Sequence, residues 1–250
     1  KINNLNHQFK QSVIKKKFSI IIDDGNTKIT HKHWNWSLGI TYFYPEKIII
    51  KDPSFAHISL NRFEQVLLHE LNHVMMNRAD VYKSIPRWFK EGFAMYFADE
   101  ISLNHKLKIS NYLYHEELFN LELLNTFSHF DKHKFNLAYA QSAIYVLSIQ
   151  QLFGDQTLYH IYDGLYNGKT FEVSFYEATA KNVNEFNDLA YTFIKNKYKW
   201  YELITLPNQL FAFLPLLLII GFILRSIKNK KIEEKWKIEE EIENSEFIDI

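Results

Sequence analysis

Two histidines four positions apart, with a glutamate directly after the first, are the residues in this chain best suited to chemistry. They are His69, Glu70 and His73, in the run Asn61–Asn77 that reads NRFEQVLLHELNHVMMN. On a helix, a spacing of four puts both imidazoles on one face, where they can hold one Zn²⁺ at about 2.0–2.1 Å. The glutamate beside the first histidine then reaches a metal-bound water rather than the metal, the position of a general base. A catalytic zinc keeps three protein ligands and one open position, so a third ligand is required. With no cysteine in the chain, the site must be built from His and Glu. Glu91 is the candidate, eighteen positions after His73, in the run Pro86–Ala98 that reads PRWFKEGFAMYFA. The competing use of Glu91 is an ion pair with Arg87 four residues earlier, worth only about 0.2–0.5 kcal/mol on a helix.

These side chains need rigid elements behind them. In the first run Phe63, Val66, Leu67, Leu68, Leu71, Val74 and Met75 form a broad apolar arc at 100° per residue, which predicts a helix over 61–77. Asn61, with Glu64 three residues on, can cap it. Glu70 falls inside the apolar arc and the two histidines lie on its edge. A carboxylate aimed at a core costs several kcal/mol unless something there uses it. The second run is apolar almost all round and should be buried, with Pro86 in its first turn. Gly92 in its middle costs about 1 kcal/mol relative to Ala, which makes sense where two helices approach closely.

Upstream, Phe18–Ile22, Ile40–Tyr44 and Lys47–Lys51 are short β-branched or aromatic runs that predict strands, the last two close enough for a hairpin. Helical texture covers 61–77, 86–100, 110–125, 136–153, 155–167, 171–180 and 184–199. The expected fold is α+β: a small N-terminal β-sheet, the HExxH helix and a helical C-terminal lobe. Composition narrows the function. The 250 residues carry 29 Lys+Arg against 29 Asp+Glu, which argues against a nucleic-acid partner held by a basic surface. The lack of cysteine excludes a disulfide scaffold, thiolate metal sites and a Cys nucleophile. No Gly-rich phosphate-binding motif is present.

HELNHVM followed by PRWFKEGFAMYFA resembles the gluzincin pattern of zinc metallopeptidases, HExxH and then a W-x-x-E-G helix. The similarity is to peptidase MA-like domains with the thermolysin-type zinc core, and it extends in texture over about 40–200. Metzincins are excluded, because the positions where they carry Gly and His hold Met76 and Ala79. The resemblance implies one catalytic Zn²⁺ on His69, His73 and Glu91, with Glu70 as general base and a peptide or protein substrate. It also implies a hydrogen-bond donor from the later helices that helps hold the oxyanion; Tyr139 is the candidate. One departure matters. Thermolysin-type sites place an Asp one turn after the glutamate ligand to orient the first histidine, and that position here is Met95. Asp99, Asn72 and Asn77 are the substitutes within reach in sequence. KIIIK at 47–51 is a candidate strand for pairing with an extended substrate. A catalytically silent binding or regulatory domain of the same fold is the alternative function.

The remaining features are peripheral. Leu210–Leu224, LFAFLPLLLIIGFIL, is fifteen residues without a charge. With Trp200 and Tyr201 before it and Arg225, Lys228, Lys230 and Lys231 after it, it predicts one transmembrane helix over 203–226. That places a 1–200 catalytic domain outside the cytoplasm on a single-pass anchor and a charged tail, 227–250, inside. Lys1–Lys17 shows no apolar signal-peptide core, so export implies a targeting segment removed or outside this sequence. The pairs His129/His133 and His31/His33 lack a glutamate in the right place and read as surface residues. Asp23-Asp24-Gly25 reads as a turn.

Overall fold

β-Branched runs become strands where the turns between them allow pairing, and three do so here. The computed structural model describes residues 17–26, 29, 34–35, 37–79, 85–115, 118–126, 130–199 and 207–246. Its chain divides into two units, 1–202 and 203–250. In the first, β1 (Ser19–Asp23), β2 (Gly39–Phe43) and β3 (Glu46–Lys51) form a sheet of order β1-β3-β2. β2 and β3 are the expected hairpin, antiparallel with Gly39 opposite Ile50 and Phe43 opposite Glu46. β1 runs parallel to β3, Ser19 against Lys47 through Asp23 against Lys51. Ile48, Ile49 and Ile50 of β3 are all buried, as befits a central strand. KIIIK therefore cannot receive a substrate strand: both of its edges are already paired. The strand with an edge turned to the cleft is β2.

The helices follow. α1 (Pro53–Ala56) is a single turn capped by Asp52, whose carboxylate accepts from the Ser54 and Phe55 amides. α2 (Leu60–Ala79) carries the histidines. It starts before Asn61, and Ser59 Oγ accepts the Arg62 amide at 3.2 Å, so Ser59 and not Asn61 is the cap. α3 (Arg87–Phe97) starts just after Pro86, whose carbonyl takes the Phe89 and Lys90 amides. The expected helix over 110–125 is two: α4 (Leu103–His115) and α5 (Leu123–Thr126). The Gln141 side chain supplies the reason. It takes both backbone groups of Phe119, amide at 3.0 Å and carbonyl at 2.7 Å, and so satisfies them outside a helix. Asn120 then caps α5 through the Leu123 amide at 2.8 Å.

α6 (Lys132–Phe153), α7 (Thr157–Tyr166), α8 (Phe171–Thr179) and α9 (Val183–Tyr198) complete the lobe. α9 has a full capping box, Asn182 with Glu185. α6 runs against α3, and Gly92 is where they meet: a Cβ there would stand 2.2 Å from the Ser142 carbonyl oxygen. The core behind this contact is aromatic. Trp88 packs against Tyr145, Phe171 and Phe186 with ring centroids 6.0–6.1 Å apart. α2 and α3 thus sit on a rigid floor, and both present their chemical residues to the same side.

The second unit contains α10 (Pro207–Glu246), a 40-residue helix. Among the described residues no helix is long and apolar enough to cross a membrane. This overturns the transmembrane helix expected over 203–226, of which 203–206 lie outside the described residues. The single-pass localisation, with an extracytoplasmic domain and a cytoplasmic tail, falls with it. The physical reason is length. The uncharged run Leu210–Leu224 gives about 22 Å of helix at 1.5 Å per residue, against a hydrocarbon core of about 30 Å. Asn208 and Gln209 precede it and Arg225 ends it.

Candidate active site

A spacing of four on α2 brings His69 Nε2 to 3.0 Å from His73 Nε2. Across from them α3 delivers Glu91, whose Oε2 lies 3.3 Å from His73 Nε2 and 3.7 Å from His69 Nε2. His69 and Glu91 are 8% and 7% exposed. His69, His73 and Glu91 form a group whose ligand atoms lie within 4.8 Å of one another and could hold a metal ion. The other oxygen of Glu91, Oε1, faces Arg87 Nε at 3.4 Å. The ion pair expected from the sequence thus engages one oxygen, while the other faces the two histidines.

Whether these residues suit a metal is answered by where their hydrogen bonds go. Glu91 Oε2 is buried without a hydrogen-bond partner. His69 Nδ1 lies 2.7 Å from Glu100 Oε2. An ionised carboxylate only accepts, so Nδ1 carries the hydrogen, and whenever the ring is neutral its Nε2 lone pair faces the other two groups. Two imidazole nitrogens and a carboxylate oxygen facing one point are a donor set for Zn²⁺. The electrostatics agree. Burial pushes the His69 imidazole down, but the Glu100 carboxylate, with Glu91 and Glu70, more than offsets this and holds it well above its usual range. Burial likewise pushes Glu91 up, and His73, His69 and Arg87 overcome it, keeping that carboxyl well below its ordinary value. The same grouping of two imidazoles and a carboxylate could hold a cation at its centre.

Glu70 is 6% exposed and is held by β2. Thr41 Oγ1 donates to Glu70 Oε2 at 2.6 Å. Two residues earlier on the same strand face, Gly39 clears room for it. A Cβ at Gly39 would lie 2.9 Å from both Glu70 Cγ and Oε1. Tyr139 comes from α6, its ring 6.5 Å from that of His69 and nearly parallel to it. Burial and the neighbouring Glu91 carboxylate keep its phenol well above its usual range, so its hydroxyl is a proton donor rather than an anion. A cleft of about 710 Å³ opens over these groups, lined among others by Thr41, His73, Arg87, Lys90, Tyr139 and Glu172.

Glu100, Thr41 and Gly39 are the site residues that sequence reasoning missed. The substitutes considered for the missing Asp do other work. Asn72 donates back to the Leu68 carbonyl at 2.7 Å, and Asp99 makes the left-handed turn, φ 58°, that ends α3. Among the described residues, no hydrogen bond joins Asn77 to either histidine. The only hint of Glu100 was its lying just past that helix, where a turn can swing a side chain back. Of the peripheral histidines, His133 is exposed and lies 3.1 Å from the Tyr112 hydroxyl; His129, His31 and His33 lie outside the described residues. Asp23 Oδ1 accepts the Gly25 amide at 3.2 Å, with Gly25 at φ 93°, the turn expected there.

A sequence model of the Peptidase MA superfamily matches residues 11–196, about three quarters of the chain. No curated protein and no solved structure matches significantly.

Proposed function

We propose that this chain, which belongs to the Peptidase MA superfamily, is a zinc metallopeptidase that hydrolyses peptide bonds in peptide or protein substrates. His69, His73 and Glu91 are the ligands, Glu70 is the general base and Tyr139 the oxyanion donor. The observation that carries the reading is the buried Glu91 Oε2, without a hydrogen-bond partner, facing two imidazole nitrogens at 3.3 and 3.7 Å.

Zinc bound there would lower the pKa of a coordinated water towards about 7 and polarise the scissile carbonyl. The protein supplies the rest. Thr41 occupies Glu70 Oε2, which leaves Oε1 to take the proton of the attacking water and pass it to the departing amine. The Tyr139 hydroxyl donates to the oxygen on which charge develops. An extended substrate has β2 to pair with, because that strand spends one edge on β3 and lines the cleft with Gly39, Ile40, Thr41 and Phe43. Burial of Glu70, His69 and Glu91 limits their contact with bulk water and would strengthen these interactions.

The test is metal content followed by one substitution. Purified protein should hold close to one zinc per chain. Glu70→Gln should keep that zinc and lose at least about 100-fold in hydrolysis of a quenched-peptide library, the usual worth of a general base. Full metal binding with no turnover on any peptide would favour a silent binding domain. Protein without zinc, in which His69→Ala changes nothing measurable, would overturn the reading.

A further inference from the structure

We propose that Glu100, locked by Arg62, is the positioning residue of the metal site, keeping His69 in the one orientation in which Nε2 is free to bind metal. The proposal rests on the metallopeptidase reading above and assigns a role that the ligand set alone does not reveal. It also explains how the site works with Met95 at the position one turn after Glu91. Met95 is buried and offers no hydrogen-bond acceptor of use to an imidazole N–H.

The carboxylate has been moved, not lost. α3 ends in a turn built for the purpose. Asp99 adopts φ 58°, the Asp99 amide returns to the Tyr96 carbonyl at 3.2 Å and the Glu100 amide to that of Met95 at 3.0 Å. The reversal aims Glu100 back at α2. Gln65 of α2 ties the turn down, its Nε2 donating to the Asp99 carbonyl at 2.9 Å. Arg62 and His69 stand seven residues apart on α2, two turns along one face. Glu100 bridges them: Oε1 takes the Arg62 guanidinium at 2.7 Å and Oε2 takes His69 Nδ1–H at 2.7 Å. Its side chain is only 7% exposed. A carboxylate with each oxygen committed to a different donor on the same helix cannot swing, and the imidazole it holds cannot rotate about its Cβ bond without breaking a charge-assisted hydrogen bond. Arg62 acts two steps from the metal, through Glu100.

The test needs no substrate. Zinc affinity of the full chain is measured by chelator competition at neutral pH for wild type, Glu100→Ala, Glu100→Gln and Arg62→Met. Melting of the metal-free forms is followed alongside. Loss of the orienting carboxylate should weaken zinc binding about 10- to 100-fold. Glu100→Gln, whose side-chain oxygen still accepts an N–H, should lose less than Glu100→Ala, and Arg62→Met should fall between wild type and Glu100→Ala. In ¹⁵N-histidine spectra of the zinc form, the solvent-protected Nδ1–H of His69 should be present in wild type and absent in Glu100→Ala. A merely structural role would lower the melting temperature and leave zinc affinity and the Nδ1–H signal as in wild type. That result in a folded Glu100→Ala variant overturns the proposal. Wild-type protein that binds no zinc at all overturns the metal reading itself, a distinguishable outcome.

Discussion

A buried carboxylate beside two imidazoles is stable only if each of its oxygens has a partner, and that constraint assigns work to individual atoms here. Glu91 gives Oε1 to Arg87 and keeps Oε2 for the centre of the site. Glu70 gives Oε2 to Thr41, and the proposed mechanism assigns the proton to Oε1. Removing the Thr41 hydroxyl while keeping its shape should therefore free the base without touching the metal. Thr41→Val is expected to lower kcat about tenfold with KM and zinc content unchanged, and Thr41→Ser to restore most of it, read by steady-state kinetics on a cleaved peptide. Equal kcat in Thr41→Val and wild type would mean that the packing around Gly39 alone orients Glu70. Tyr139→Phe tests the proposed oxyanion donor. Loss of one preorganised donor should lower kcat about 100-fold or more and leave zinc affinity intact. At this scale the residues proposed as ligands and base were legible as candidates because their spacing is written inside two helices. Glu100 and Thr41 were not, since a turn at Asp99 and a strand from elsewhere in the chain bring them in, and no local period records either.

At the scale of elements, the site is as good as the seating of α3 on α6. Gly92 makes that seating possible, and its neighbour Glu91 inherits the position. Ala is the better helix former by about 1 kcal/mol. Even so, a methyl group 2.2 Å from the Ser142 carbonyl oxygen meets backbone, which yields only if a helix moves. Gly92→Ala should thus destabilise the fold by about 1–3 kcal/mol, the range for overpacking a core. Because α3 must shift, zinc affinity should fall together with the melting temperature. A variant as stable as wild type would show that the two helices can separate freely. The close approach at Gly92 could be read from sequence because a glycine inside an apolar helix only costs stability unless a neighbouring backbone needs the space. The break between α4 and α5 could not. It depends on Gln141, more than twenty residues away on α6, taking the backbone groups of Phe119. The same holds for β1, whose parallel pairing with β3 is a non-local contact.

For the molecule as a whole, burial separates the two units. Every buried hydrophobic residue among those described lies between Trp34 and Tyr198. The family match ends at residue 196, and the candidate ligands, base and positioning carboxylate all fall between His69 and Glu100. The second unit contains α10, whose described apolar residues from Phe213 to Leu224 are exposed, and its sequence continues into mixed charge. An apolar run is easy to see in a sequence; whether it is long enough for a given task is a matter of ångströms per residue, and there the reading of a membrane span failed. The division yields a direct expectation. A chain ending at Glu202 keeps the whole described core and all five chemical residues, so it should fold, bind zinc with an affinity within about twofold of the full chain, and melt within about 2 °C of it. A ΔΔG of 1 kcal/mol in a domain of this size moves the midpoint by about 2–4 °C, so calorimetry of the two forms resolves even a small contribution from residues 203–250. A larger loss, or failure of the shortened chain to bind zinc, would mean that the second unit supports the core or the cleft, and would require that the site be treated as a property of the entire chain.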